Sequence, residues 1–140
     1  MTGVAVVLAV LALATLFGVW RQRRDGIVRS AQDSEPADRA AVLSSGDLGA
    51  ELGSRATLVQ FSTAFCQPCR AARGTLSHIA GTESGVAHIE IDAERNLELV
   101  RVLGIARTPT TLILDGEGSV VGRATGVPRI GEVRAVLNAV

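Results

Sequence analysis

The chain has 140 residues, enough for one domain and whatever its ends add. It is 47% apolar but only 3% aromatic, and its formal charge is zero, with no basic block beyond a few early arginines. That balance argues against nucleic acid as a partner. All fourteen basic residues are Arg and none is Lys, which we read, beside heavy Ala, Gly and Val use, as genomic base composition rather than design.

Gly3 to Trp20 is an uncharged run of eighteen residues, just long enough to cross a bilayer core, with Trp20 suited to the interface. A cleaved signal peptide and a buried core helix are the alternatives. A signal peptide opens on a charged segment, whereas only the amino terminus precedes this run, and the small residues Ala12 and Ala14 lie inside it. The expectation is an uncleaved single-pass anchor over residues 1–20, meeting the lipid bilayer through residues 3–20. Arg21, Arg23, Arg24 and Arg29 all follow the run, so the positive-inside rule puts the soluble domain in the cytoplasm; an extracytoplasmic domain is the alternative. Residues 21–43 mix charges and small residues around Pro36 and read as a polar linker. A short helix at Ala37 to Leu43, or a turn or two more of the first helix past Arg24, fits within it. Flexible over some eighteen residues, it would hold the domain roughly 20–25 Å from its anchor.

From Ser44 to Val140 the pattern is that of a small α/β domain. Ser45-Gly46-Asp47 caps a short helix ending near Gly53. Thr57 to Ser62 is a β-rich run suited to a strand buried on both faces. A helix from Gln67 to Ala80 follows, then a strand from Val86 to Ile91, and strand–helix–strand implies parallel pairing. Asp92 is the expected cap of a helix that buries Leu99, Val102 and Leu103 and stops at Gly104. Thr111 to Leu114 and Ser119 to Ala124 flank the turn Asp115-Gly116-Glu117-Gly118, an antiparallel hairpin. A last helix, Arg129 to Ala139, is expected to bury Ile130, Val133, Val136 and Leu137. No internal repeat is visible.

The chemistry concentrates in Phe61 to Arg70, FSTAFCQPCR, which holds both cysteines of the chain. Two thiols spaced C-x-x-C can close into a disulfide, one attacking a target and the other resolving the mixed disulfide. Pro68 suits the first turn of a helix, where its missing N–H costs nothing. Cys66 then falls at the helix N-terminus, where unpaired amides and the dipole favour a thiolate. Cys69, Ala72, Leu76, Ile79 and Ala80 share one stripe, which turns Cys69 towards the core. A structural zinc site needs four ligands, and the only histidines, His78 and His88, stand at no usual finger spacing. Two inert buried thiols are the other bland reading. Redox chemistry is favoured over both, with no metal and no organic cofactor required.

The element order, FSTAFCQPCR, Thr108-Pro109-Thr110 and Gly126 together resemble the thioredoxin family over about Ser44 to Val140. The resemblance implies a thioredoxin-like fold, a central mixed β-sheet flanked by helices, here behind a single transmembrane helix. It also implies a cis Thr108–Pro109 bond packed against the active-site disulfide, with neighbouring backbone free to pair with an extended substrate segment. An ordinary proline opening an edge strand is the plainer alternative for Pro109. Phe65, Gln67, Pro68, Thr108 and Pro109 are thereby the expected substrate-binding and supporting residues around catalytic Cys66 and Cys69.

Several positions depart from the family pattern. Phe65 stands where tryptophan is usual, and Gln67-Pro68 replaces Gly-Pro, so the redox potential does not transfer. Gly74 replaces a kinking proline and permits a bend without enforcing one. Gln60 replaces a buried aspartate, and His88 a lysine on the following strand. An amide does not titrate, so a proton relay to Cys69 through Gln60 and His88 would draw on the imidazole, whose ordinary pKa lies near neutrality. The alternative is that His88 is a half-buried strand residue. His78 reads as a cation near the helix C-terminus; Arg70 and Arg73 either add positive potential near the thiols or solvate the outer face.

The sequence thus predicts a membrane-tethered thiol–disulfide oxidoreductase. It would reduce protein disulfides with electrons from an upstream thiol reductant. Two alternatives remain: a non-catalytic peptide-binding adaptor on the same fold, and an extracytoplasmic reductase or isomerase in envelope or cytochrome maturation.

Overall fold

The structure, a computed structural model, describes residues 2–24, 26–30 and 41–140. Helix α1 runs over Thr2–Arg24, through the apolar segment and one turn beyond it. Its side chains from Gly3 to Arg23 are all exposed, and the helix is long and apolar enough to cross a membrane, with a mean hydropathy of 2.4.

Five strands, β1 (Val28–Ser30), β2 (Ala56–Ser62), β3 (Val86–Asp92), β4 (Thr110–Asp115) and β5 (Val120–Thr125), form one mixed sheet in the order β1-β5-β4-β2-β3. The inner strand β2 (Ala56–Ser62) is buried along its whole length. It pairs in parallel with β3 (Val86–Asp92) and antiparallel with β4 (Thr110–Asp115). Its alternate residues feed two cores, as the two-residue period of a strand requires. Val59 and Phe61 join Ile89, Ile91, Leu112 and Leu114 on one face. Ala56 and Leu58 join Leu76, Ile79, Ile113, Val133 and Leu137 on the other. Burial of each large side chain in these layers contributes about 2 kcal/mol.

The second core is covered by α3 (Gln67–Thr82) and α5 (Ile130–Leu137). In α3 the buried residues are Cys69, Ala72, Leu76 and Ile79, the expected stripe. In α5, Val133 and Leu137 are buried one turn apart, whereas Ile130 opens the helix 39% exposed. Helix α2 (Ser45–Leu48) is shorter than expected. Ser44 and Asp47 form a reciprocal capping box, and Gly49 ends the helix with a left-handed φ of 67°.

Helix α4 (Leu97–Val102) also departs from expectation. Asp92 does not cap it; the carboxylate accepts from the Glu94 amide at 2.9 Å in a preceding turn. Helix geometry therefore starts later, after Asn96. Leu99, Val100 and Leu103 face the core and Val102 points away, 62% exposed.

The polar linker expected over residues 21–43 is corrected at its two ends, while residues 25 and 31–40 lie outside the described residues. Arg21 to Arg24 complete α1, and Val28–Ser30 form strand β1 at the sheet edge, antiparallel to β5 (Val120–Thr125). The Val28 amide donates to the Glu132 carboxylate at 2.7 Å. At the far end, the Leu43 amide donates to the Gly118 carbonyl at 2.9 Å and Leu43 is buried. Both ends of the segment satisfy their backbone groups on the domain, which composition alone does not reveal. Pro36 and most of the short helix expected at 37–43 lie outside the described residues; within that range Val42 makes an isolated bridge to Ser119 instead.

Candidate active site

Strand β2 ends at Ser62, and Thr63-Ala64-Phe65 turns the chain into α3. Cys66 is the N-cap of that helix, and its Sγ accepts the Cys69 amide at 3.2 Å. The Cys66 sulfur thus takes the place of a capping hydroxyl, satisfying one of the helix's orphan donors. Pro68 lies in the first turn. One turn of helix brings Cys69 back under Cys66, and the two sulfurs are bonded at 2.03 Å. Cys66 is partly exposed, whereas Cys69 is 2% exposed.

The Thr108–Pro109 peptide bond is cis. Pro109 is buried, its carbonyl accepts the Gly126 amide at 2.8 Å, and the Thr63 and Thr108 hydroxyls are 3.4 Å apart. Pro68, Thr108, Pro109, Gly126 and Val127 line a cavity of about 460 Å³, joined there by Gln22 from α1. The expected supporting residues therefore divide. Pro68, Thr108 and Pro109 share this groove, while Phe65 projects fully into solvent and Gln67 is exposed at the helix start.

Beneath the disulfide, Gln60 is completely buried, and its Nε2 donates to the Cys69 carbonyl at 2.9 Å. A carbonyl only accepts, so the amide nitrogen must face it and Oε1 must face the other way. There His88 Nε2 approaches Oε1 at 3.2 Å, and His88 Nδ1 lies 3.1 Å from the Ser77 hydroxyl. An amide oxygen cannot donate, so the ring carries its proton on Nε2 and takes the Ser77 hydroxyl hydrogen on Nδ1. Burial pushes His88 below its ordinary pKa, against the opposing pull of the Glu90 charge. Gln60 thus contacts the Cys69 backbone, with the sulfur outside its hydrogen bonds, and the expected pair is joined by an explicit bond.

Sequence reading missed the next link. Arg73 grips Glu90 with two bonds of 2.7 Å, and the Ser62 hydroxyl donates to the same carboxylate at 2.6 Å. The bidentate guanidinium holds Glu90 below the usual carboxylate range. The charge of Arg73 is therefore answered on the sheet. Its signal was the like parity of His88 and Glu90 on one strand. Arg70 and His78 are exposed along α3, and Gly74 leaves the helix continuous, with open space where a Cβ would stand.

A mixed sheet with a C-x-x-C disulfide at the β2–α3 junction and a cis proline beside it defines a thiol–disulfide oxidoreductase domain. A family model described as Thioredoxin matches residues 42–139, and the chain belongs to the thioredoxin family. It is similar to thioredoxin H2-1 of Oryza sativa subsp. japonica, at 26% identity over 76 residues, which is 54% of this chain and 54% of that protein. The chain thus spans about half the length of that curated relative. Among solved structures, thioredoxin F from spinach chloroplast is 28% identical with a TM-score of 0.54, over 62% of this chain and 77% of that one. A mutant thioredoxin from Halobacterium salinarum has a TM-score of 0.56 at 20% identity, over 61% and 74% of the two chains, a likeness of fold.

Proposed function

We propose that this protein is a membrane-anchored thiol–disulfide oxidoreductase that reduces protein disulfides, with its soluble domain on the cytoplasmic side. The observation that carries the reading is the asymmetry of the pair: Cys66 partly exposed at a helix N-terminus, Cys69 buried behind it. In the reduced protein, the Cys66 thiolate attacks one sulfur of a substrate disulfide and releases the other as a thiolate. Cys69, deprotonated, then attacks the Cys66 sulfur and frees the second substrate thiol. Two electrons have passed to the substrate, and the Cys66–Cys69 disulfide remains. An upstream dithiol restores it by the same exchange run in reverse.

The helix N-terminus favours the thiolate at Cys66 through its dipole and the Cys69 amide, which donates to the Cys66 sulfur. Gln60 and His88 act as positioning residues, fixing the backbone of Cys69. A proton leaving Cys69 passes to solvent, because the ring nitrogen of His88 that can accept one faces the Ser77 hydroxyl. Pro109 and its neighbours in the groove receive the extended substrate segment. The span Gly3–Arg23 supports anchoring, and the arginines after it support the cytoplasmic placement.

Reduction of insulin by the full chain in detergent, with dithiothreitol as reductant, tests the activity. Wild-type protein should accelerate insulin precipitation and the Cys66→Ser variant should not. A wild-type rate equal to dithiothreitol alone would refute the reading.

A further inference from the structure

We propose that the redox groove opens at the membrane surface and that its preferred substrate is a disulfide in an extended juxtamembrane segment of another membrane protein. The inference rests on the membrane-anchored exchange reading above and specifies which disulfides that site reaches.

The anchor is docked on the domain. Only three residues separate Arg24, the end of α1, from Val28, the start of β1. Within them the Gly26 amide donates to the Thr125 carbonyl at 2.8 Å. Gly26 has a φ of 81°, and a Cβ there would collide with the Val127 carbonyl, so only glycine seats the joint this closely. On the other side, the Arg129 guanidinium donates to the Arg23 carbonyl at 3.1 Å, in the last turn of α1. These contacts place Gln22 in the wall of the cavity that also holds Pro68, Thr108 and Pro109.

The depth of Gln22 then sets the depth of the groove. The apolar run Gly3–Trp20 is eighteen residues, about 27 Å of helix, close to a hydrocarbon core of about 30 Å, so residues 21–23 fall at its edge. Gln22 follows the interfacial Trp20 and lies between Arg21 and Arg23, so it sits among lipid headgroups. Gln22 and Pro68, the latter lying between the two cysteines in the chain, line one and the same cavity of about 460 Å³. A bulky folded substrate approaching this face meets the bilayer, whereas a strand emerging from a neighbouring span runs along it. Confinement to the same membrane also raises the effective concentration of such a strand.

The test uses the full chain in phosphatidylcholine nanodiscs with dithiothreitol as reductant. Each disc also holds a single-span peptide carrying a disulfide-linked fluorophore. In one peptide the disulfide lies directly after the span; in the other a stiff helical spacer lifts it about 30 Å away. A small soluble disulfide is the third substrate. The wild type should reduce the near disulfide at least about tenfold faster than the far one. Gly26→Val, and separately a flexible Gly/Ser insertion after Arg24, should abolish that preference while leaving the rate on the small soluble disulfide within about twofold. Equal wild-type rates on near and far disulfides, or a preference that survives the insertion, would overturn the proposal. Inactivity on all three substrates would instead refute the exchange reading beneath it, and this proposal with it.

Discussion

The buried amide of Gln60 bridges the Cys69 carbonyl and the His88 ring, accepting the Nε2 hydrogen of His88 across 3.2 Å. One neutral side chain thereby ties the resolving cysteine's backbone to the neighbouring strand. Its place in the core is tolerable because both ends of the amide are satisfied.

Gln60→Leu removes both bonds at once, leaving the Cys69 carbonyl only its bond within α3 and the half-buried His88 N–H without its Gln60 partner. The variant should lose about 2 kcal/mol of stability, with its fold intact. Urea unfolding of the oxidised protein in detergent checks this, and an unchanged midpoint would remove Gln60 from its position under Cys69.

His88 makes stability depend on pH with a definite sign. Burial lowers its folded pKa below the ordinary 6.5, so between those values the unfolded chain binds more protons than the folded one. Stability is then full above pH 6.5 and falls as pH drops towards the folded pKa. Glu90, also lowered, loses its contribution only in the acid range below its ordinary 4.5. Urea midpoints between about pH 7.5 and 5.5, bracketing the ordinary histidine value, should fall in the wild type and stay flatter in His88→Gln. Equal slopes would assign the dependence to another group.

The two cysteines should differ as traps. Cys69→Ser leaves the attacking thiol without a resolver and should accumulate mixed disulfides through Cys66. Cys66→Ser should accumulate almost none, because Cys69 is buried. Non-reducing electrophoresis after alkylation reads both, and equal trapping would contradict the division of roles.

Sidedness is testable with one new thiol. In a background carrying Cys66→Ser and Cys69→Ser, Glu94→Cys places a cysteine at an exposed turn of the domain. A membrane-impermeant maleimide should miss it in intact cells and label it once the membrane is opened. Labelling of intact cells would put the domain outside.

Local pattern was enough to read much of this protein. The eighteen-residue apolar run, the β-rich TLVQFS, the turn Asp115-Gly116-Glu117-Gly118 and the C-x-x-C at a strand–helix junction each announce themselves within a few residues. Their order was sufficient for the thioredoxin-like sheet, and the α3 stripe for the burial of Cys69. Other features depend on partners distant in sequence. Val28–Ser30 is too short and too polar to read as a strand, and exists because β5 offers an open edge. Val102 faces outward because α4 lies on the core with Leu99, Val100 and Leu103 turned inward. The Gln60–His88 bond and the Arg73–Glu90 clamp needed the parallel register of β2 and β3 and the lie of α3 across them. Periodicity determined which side chains face inward, because burial follows the helical and strand repeats. Only the tertiary structure decided which polar groups meet there, because a hydrogen bond depends on ångström-scale placement that no repeat encodes.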